Sequence, residues 1–251
     1  FNNKLFAKIL LTYFQKNNII SVFSRLNPYI KNQLEILKYF GDIVNQGKVV
    51  NINLNLDITV QKQNYQNRLK TQINQSRRNC IIKKASTTED LKDFIDIYYE
   101  NMSRVGAKNC YFFSENYFKK ILASNHFNAE ILMAQDKKSS VTIAGCLFVT
   151  TNNIVQYHLS GTKFEFLHLS PTKILIDEMR IIASKRGMRY FNLGGGVGGK
   201  YNSSLFHFKS LFSKDFKDFN LWKLIVNHKA YDELVEKRIN TNTLFFPKYR
   251  F

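Results

Sequence analysis

The sequence predicts an α/β protein built from a helix–strand–helix–strand unit that occurs twice. Three observations carry this: helical and strand-like apolar spacings alternate along the chain, the same order recurs near its end, and the later strand breaks into a glycine cluster. In the early copy, Leu5 to Phe14 has helical spacing and Ile19 to Phe23 reads as a strand ending at Asn27-Pro28. Leu34, Ile36, Leu37 and Phe40 follow as a short helix stopped by Gly41, and Val49, Val50, Ile52 and Leu54 as a strand. In the late copy, Ile174 to Ala183 is a helix closed by Gly187, Tyr190 to Leu193 a strand, Ser204 to Phe212 a helix and Leu221 to Val226 a strand. Two helices, Thr88 to Met102 and Ser114 to Ala123, precede the late copy. Three strands follow them, near Ile131 to Ala134, Ile143 to Thr150 and Ile154 to Ser160. Nothing comparable precedes the early copy, so the chain is expected to be an N-terminally trimmed product.

The strand at Tyr190 to Leu193 ends in Gly194, Gly195, Gly196, Gly198 and Gly199, which remove the side chains that would keep a ligand from the backbone. Ser203 or Ser204 can then cap a helix on which Lys209 sits beside the apolar stripe of Leu205, Phe206, Phe208, Leu211 and Phe212. No GK[ST] follows the glycines and no acidic ribose partner fits, so neither a Walker loop nor a dinucleotide fingerprint is present.

A chain of 251 residues with 44% hydrophobic and 14% aromatic residues can bury a sizeable core. A formal charge of +18 favours phosphate-bearing partners, although the Lys-, Asn- and Ile-rich usage of an AT-rich genome gives the same excess. Cys80, Cys110 and Cys146 show neither disulfide nor zinc spacing, which fits a reducing compartment, and no metal site is expected. No apolar run approaches the ~20 residues of a membrane span. The stretch from Val60 to Lys84 is polar, basic and helical in spacing, open to RNA, membrane or solvent.

The late copy and the segments before it resemble the Fem family of peptidoglycan-bridge aminoacyltransferases and related FemAB-like proteins of polysaccharide loci. The resemblance rests on IYYENMSRVGAKNCYFF at Ile97 to Phe113, IVQYHLSGT at Ile154 to Thr162, LSPTKILIDEM at Leu169 to Met179, FNLGGGVGG at Phe191 to Gly199 and LFHFKSLFS at Leu205 to Ser213. It implies a GNAT-like mixed sheet flanked by helices, as a tandem GNAT-like repeat with the first copy incomplete. The expected organisation is the rear of a first GNAT-like domain at 1–60, a basic helical connector at 61–86 and a complete acyltransferase domain at 87–251.

The implied activity is transfer of an activated acyl or aminoacyl group to an amino group of a cell-envelope precursor, either peptidoglycan or surface polysaccharide. The implied donor is aminoacyl-tRNA or acyl-CoA, with no permanently bound cofactor, and the acceptor a lipid- or nucleotide-linked precursor. The expected location is cytoplasmic, with peripheral contact at the inner membrane face. CoA-binding relatives carry a glycine-rich pyrophosphate loop where this chain reads GTKFEFLHLSPTK, which disfavours acyl-CoA. An acyl-CoA-dependent N-acetyltransferase on a small amine or amino sugar is one alternative, and a non-catalytic RNA-binding module around Tyr65 to Arg78 another.

Lys209 on spacing alone reads as a lysine snorkelling from a half-buried helix. The family's Phe-Lys pair turns Phe208 and Lys209 into substrate-binding and catalytic candidates, with the lysine as the cation beside the developing oxyanion. His158 reads as a proton relay or as a buried histidine satisfied by backbone. Tyr157 and Ser160 are further candidates, but strict alternation puts Tyr157 opposite to His158 and Ser160 unless the strand is bulged. Arg104 and Tyr111 read as acceptor contacts or surface residues, and Gly194, Gly195 and Gly196 as the turn that admits substrate to the backbone.

Overall fold

The computed structural model describes residues 2–30, 32–238 and 245–250. Chain order is α1 (Asn3–Lys16), β1 (Ser21–Arg25), α2 (Gln33–Leu37), β2 (Asp42–Asn53), α3 (Ile58–Gln63), α4 (Asn67–Asn79), β3 (Cys80–Lys84), α5 (Thr88–Arg104) and α6 (Glu115–Leu122). It continues with β4 (Asn128–Asp136), β5 (Thr142–Thr151), β6 (Ile154–Thr162), α7 (Pro171–Lys185), β7 (Tyr190–Gly194), α8 (Ser204–Lys209), β8 (Asp215–Ile225) and α9 (His228–Glu236). Both helix–strand–helix–strand copies are present, and α5 to β8 follow the helix and strand order of a GNAT-like domain. By packing, the chain forms one compact unit from Val49–Val197 and Asn202–Phe216, and a second from Phe1–Lys48, Gly198–Tyr201 and Lys217–Phe251.

In the larger unit the strands run in the order β2-β7-β6-β5-β4-β3. Neighbours are antiparallel except β6 and β7, which run parallel and pair only from Ile154↔Tyr190 to Gln156↔Asn192. One face of this sheet packs on α7, with Val50, Phe148, Val155, Leu175, Ile176, Met179 and Phe191 in one buried cluster. The other face buries Phe94, Tyr98, Phe118, Met133 and Leu147 under α5 and α6. A capping box begins α5, in which Thr87 accepts from the Asp90 amide and the Asp90 carboxylate from the Thr87 amide.

In the smaller unit β8 lies between β1 and β2, and Trp222, Leu26 and Leu224 form its core with Leu11, Phe14, Leu34 and Phe40. The Trp222 indole donates to the Phe40 carbonyl at 2.9 Å. Gly41, at φ +78°, ends the short helical stretch there, where a Cβ would meet the Lys223 carbonyl oxygen at 2.6 Å. The two copies exchange strands: early β2 pairs with β7 in the larger unit, and late β8 with β1 in the smaller. The compact units are therefore discontinuous in sequence.

The basic stretch after residue 60 differs from its expected form as one helical connector. It forms α3, α4 and strand β3, whose residues pair antiparallel with β4 from Cys80↔Asp136 to Lys84↔Leu132. Cys-Ile-Ile-Lys-Lys carries little strand pattern of its own, and its conformation comes from the ladder. Leu69 and Ile73 bury one side of α4 completely, and Tyr65 is buried beside it. The Tyr65 hydroxyl donates to Asp177 at 3.0 Å, Arg77 reaches Asp177 at 2.8 Å and Glu178 at 3.1 Å, and buried Arg180 binds Asp177 at 2.9 Å. Two of the residues that suggested an RNA surface, Tyr65 and Arg77, thus hold α4 to α7.

Burial alone would raise the Asp177 pKa, but the Arg180 charge and the hydrogen bonds from Arg77, Arg180 and Tyr65 hold it below the usual carboxylate range. Asp177→Ala leaves Arg180 buried without its counter-charge and is expected to lower stability by about 3–5 kcal/mol. Urea denaturation measures this, and an Asp177→Leu/Arg180→Met double variant should lose much less. Equal losses in both would place the interaction in packing rather than charge.

Candidate active site

The parallel strands β6 and β7 part beyond Gln156 and Asn192, and the candidate site lies where they separate. Tyr157 is the first β6 residue past the paired stretch, and Gly194 lies two residues past it on β7. Ser203 caps α8 by accepting from the Phe206 amide at 3.2 Å, which fixes where the helix starts and so where Lys209 falls. Lys209 is 7% exposed, and its Nζ donates to the Gly195 carbonyl at 2.9 Å. The same ammonium lies 5.8 Å from the centroid of the Tyr157 ring.

Gly194 makes that approach feasible. It sits at φ +78°, and a Cβ there would lie 3.0 Å from the Lys209 Nζ. Its amide donates to the Asn192 side chain at 2.8 Å, which shapes the turn from below. The glycines of this cluster therefore differ in what they do. Gly194 leaves room for the lysine head and Gly195 offers it a carbonyl, a Cβ at Gly198 would meet nothing within 4 Å, and at Gly199 a Cβ would lie 1.7 Å from the Gln46 carbonyl oxygen, a packing constraint of the smaller unit.

Among the described residues no carboxylate pairs with Lys209. Burial lowers its pKa to about 8, because the charged form loses hydration that one carbonyl and one ring face only partly replace. Near neutral pH it remains a buried cation. A buried lysine without a counter-charge is a costly element of a fold, and such perturbed groups concentrate at sites of chemistry.

Strand β6 carries the bulge on which the placement of its candidates depended. Leu147 faces Leu159 while Phe148 faces Tyr157, so His158 is the extra residue. As a result Tyr157 and Ser160 share a face and their hydroxyls hydrogen-bond to each other, and Tyr157 packs against the same buried cluster as Phe208. Burial raises the Tyr157 pKa, keeping its hydroxyl protonated. His158 points instead to Tyr117 on α6, with Nε2 2.8 Å from the phenol oxygen, and burial lowers its pKa. Phe208 packs edge-on against buried Phe212 at 5.9 Å.

Arg104 ends α5 and Tyr111 lies on the segment after it, both exposed, and the hydrogen bonds of Arg104 and of Lys209 go to other partners. Arg104 hydrogen-bonds to Asn101 on its own helix. The segment is ordered from below: Tyr98 donates to the Tyr111 carbonyl at 2.7 Å, Tyr99 to the Phe113 carbonyl at 2.5 Å, and Phe113 stacks on Tyr117 at 4.2 Å. This aromatic ladder connects the α5–α6 segment to His158. Tyr117 escaped sequence reasoning because only the bulge brings His158 to it. Asn192 escaped because an asparagine in a short strand gives no signal of the turn it shapes.

Residues 127–219 match the FemAB family. The matched, FemAB-like segment runs from β4 into β8 and contains Tyr157, the glycine turn and Lys209. Among solved structures, the chain is similar to FemX, at 12% identity and TM-score 0.71, over 92% of this chain and 79% of that one. It is also similar to L-PGS from Bacillus licheniformis, at 16% identity and TM-score 0.63, over 90% and 74% of the two chains. At these identities the likeness is one of fold. No curated protein matches the chain. Among the described residues no helix is long and apolar enough to cross a membrane, and no cluster of three or more His, Cys, Asp or Glu side chains could hold a metal ion.

Gly194→Ala in this FemAB-like turn meets both the left-handed backbone and the lysine head. It is expected to lower stability by about 1–2 kcal/mol, measured by urea unfolding. Unchanged stability would mean that the turn and Lys209 are not closely coupled.

Proposed function

We propose that the protein is an aminoacyltransferase that moves an activated aminoacyl group to an amino group of a cell-envelope precursor, with Lys209 stabilising the oxyanion. The observation that carries this reading is a buried, carboxylate-free lysine at the parting of parallel strands, inside the segment that matches the FemAB family. FemX and L-PGS share the fold over most of this chain.

The chemistry needs little from the protein besides placement and charge. The acceptor amine attacks the carbonyl carbon of the donor ester, forming a C–N bond while negative charge gathers on the carbonyl oxygen. The Lys209 ammonium, with donors left after its bond to Gly195, stabilises that charge in a site where water screens it poorly. Collapse breaks the C–O bond, and the proton lost by the amine ends on the released hydroxyl. Tyr157 flanks the lysine with its ring, and the Gly194–Gly196 turn leaves room for the ester beside the backbone. In this proposal Arg104 at the end of α5 and Tyr111 beyond it meet the acceptor, and His158, tied to Tyr117, holds the α5–α6 segment in register.

The donor is proposed to be aminoacyl-tRNA. The segment between β6 and α7 lacks the glycines of a CoA pyrophosphate loop, and Ser170 before α7 takes a left-handed conformation at φ 53° without capping the helix by its side chain. Charged tRNA should raise the melting temperature where acyl-CoA does not; the opposite result would reassign the donor.

Lys209→Ala is expected to reduce kcat/KM for transfer about 10²–10³-fold, the scale of losing one oxyanion donor, with the fold retained by circular dichroism. Transfer within a few fold of wild type would remove Lys209 from the mechanism. The pH profile gives an independent reading. The ammonium is present below its pKa and lost above it, so transfer should decline as pH rises through about 8. Lys209→Arg, charged far beyond that range, should retain activity at the alkaline end. Activity that instead rises through the same range would make Lys209 a base.

A further inference from the structure

Helix α1 is amphipathic twice over. Its inner side places Ala7, Leu11 and Phe14 against the core of the smaller unit. On the opposite side, at i, i+4 and i+8, Leu5, Ile9 and Tyr13 are 54%, 59% and 58% exposed, a continuous apolar stripe that folding leaves in water. The charged residues of this helix are Lys4, Lys8 and Lys16, with no acidic residue between Asn3 and Lys16. Beside it Tyr39, 43% exposed, has the ammonium of Lys4 at 5.9 Å and that of Lys38 at 5.6 Å from its ring centroid.

We propose that this face of α1 docks on an anionic lipid bilayer. An apolar stripe bordered by cations of one sign matches a surface that offers hydrocarbon below a layer of negative charge. Leu5 and Ile9 enter the acyl boundary, Tyr13 and Tyr39 sit at head-group depth with an apolar ring and a polar tip, and the lysine stems carry their ammonium groups up to the phosphates. The single sign of charge along the helix favours lipid over another copy of this chain, whose matching face would bring lysines against lysines. The surface uses no residue of the transfer site. It deepens the proposed function by giving the enzyme a place to meet a lipid-linked acceptor, and it is read in an assay that contains no transfer step.

The test is co-sedimentation of the full chain with phosphatidylcholine vesicles with and without phosphatidylglycerol. Binding is expected only with phosphatidylglycerol and should weaken with salt. Ile9→Asp should lower the partition coefficient about tenfold, since it places a charge in the apolar stripe. Lys138→Gln, in the β4–β5 turn, gives the same net charge and should bind within about twofold of wild type. Thermal unfolding of both variants verifies that they fold. Equal losses in the two variants would reduce the effect to overall charge and overturn the proposal, as would absence of binding to anionic vesicles. A concentration-dependent dimer that Ile9→Asp dissolves, with vesicle binding unaffected, would assign the stripe to self-association instead.

Discussion

The buried ion pair between Asp177 and Arg180 on α7 organises the larger unit. Arg180 is almost wholly shielded from solvent, and besides Asp177 it donates to the Ile58 carbonyl and the Gln61 side chain, so one guanidinium ties α7 to α3. Asp177 in turn accepts from Tyr65 and Arg77, tying α7 to α4 and the segment before it. A pair so deeply placed earns little net stability by Coulomb attraction, because both charges lose hydration. In the observed seating of α3 and α4 on α7 these donors are all satisfied by Asp177, the Ile58 carbonyl and Gln61. The same helix packs against β6 and β7, where Leu175, Ile176 and Met179 share a buried cluster with Val155 and Phe191.

The candidate site illustrates the opposite treatment of a buried charge. Asp177 is surrounded by cations, whereas Lys209 has a carbonyl oxygen and a ring face. The first environment stabilises the charged form and the second leaves it strained, which is why one pKa lies below its usual range by ion pairing and the other is lowered by desolvation. A cation kept short of partners has donors to offer an incoming negative charge. The glycines matter for the same reason, since any side chain at Gly194 would occupy the space around Nζ.

The bulge in β6 decides which residues share a face of the strand. A regular strand would set Tyr157 apart from Ser160; one extra residue at His158 brings them together and turns the imidazole toward Tyr117. The imidazole thereby joins the aromatic ladder under the α5–α6 segment rather than the lysine.

Much of this was legible in the chain itself. Apolar periodicity gave the helices and strands of both copies, Ser203 and the glycines marked the start of α8, and the quoted motifs pointed to the FemAB-like fold and to Lys209. These signals are local, because spacing, capping and glycine act over a few residues. Other features depended on partners distant in sequence. The strand state of Cys80–Lys84 comes from its ladder with β4, the division of glycines between lysine and packing from what lies opposite each, and the exchange of β2 and β8 from pairing between the copies. The sequence by itself determined the order of elements and the glycine break before α8; only the tertiary structure decided that Lys209 is buried with no carboxylate partner among the described residues, because burial and pairing are properties of neighbours brought together by the fold.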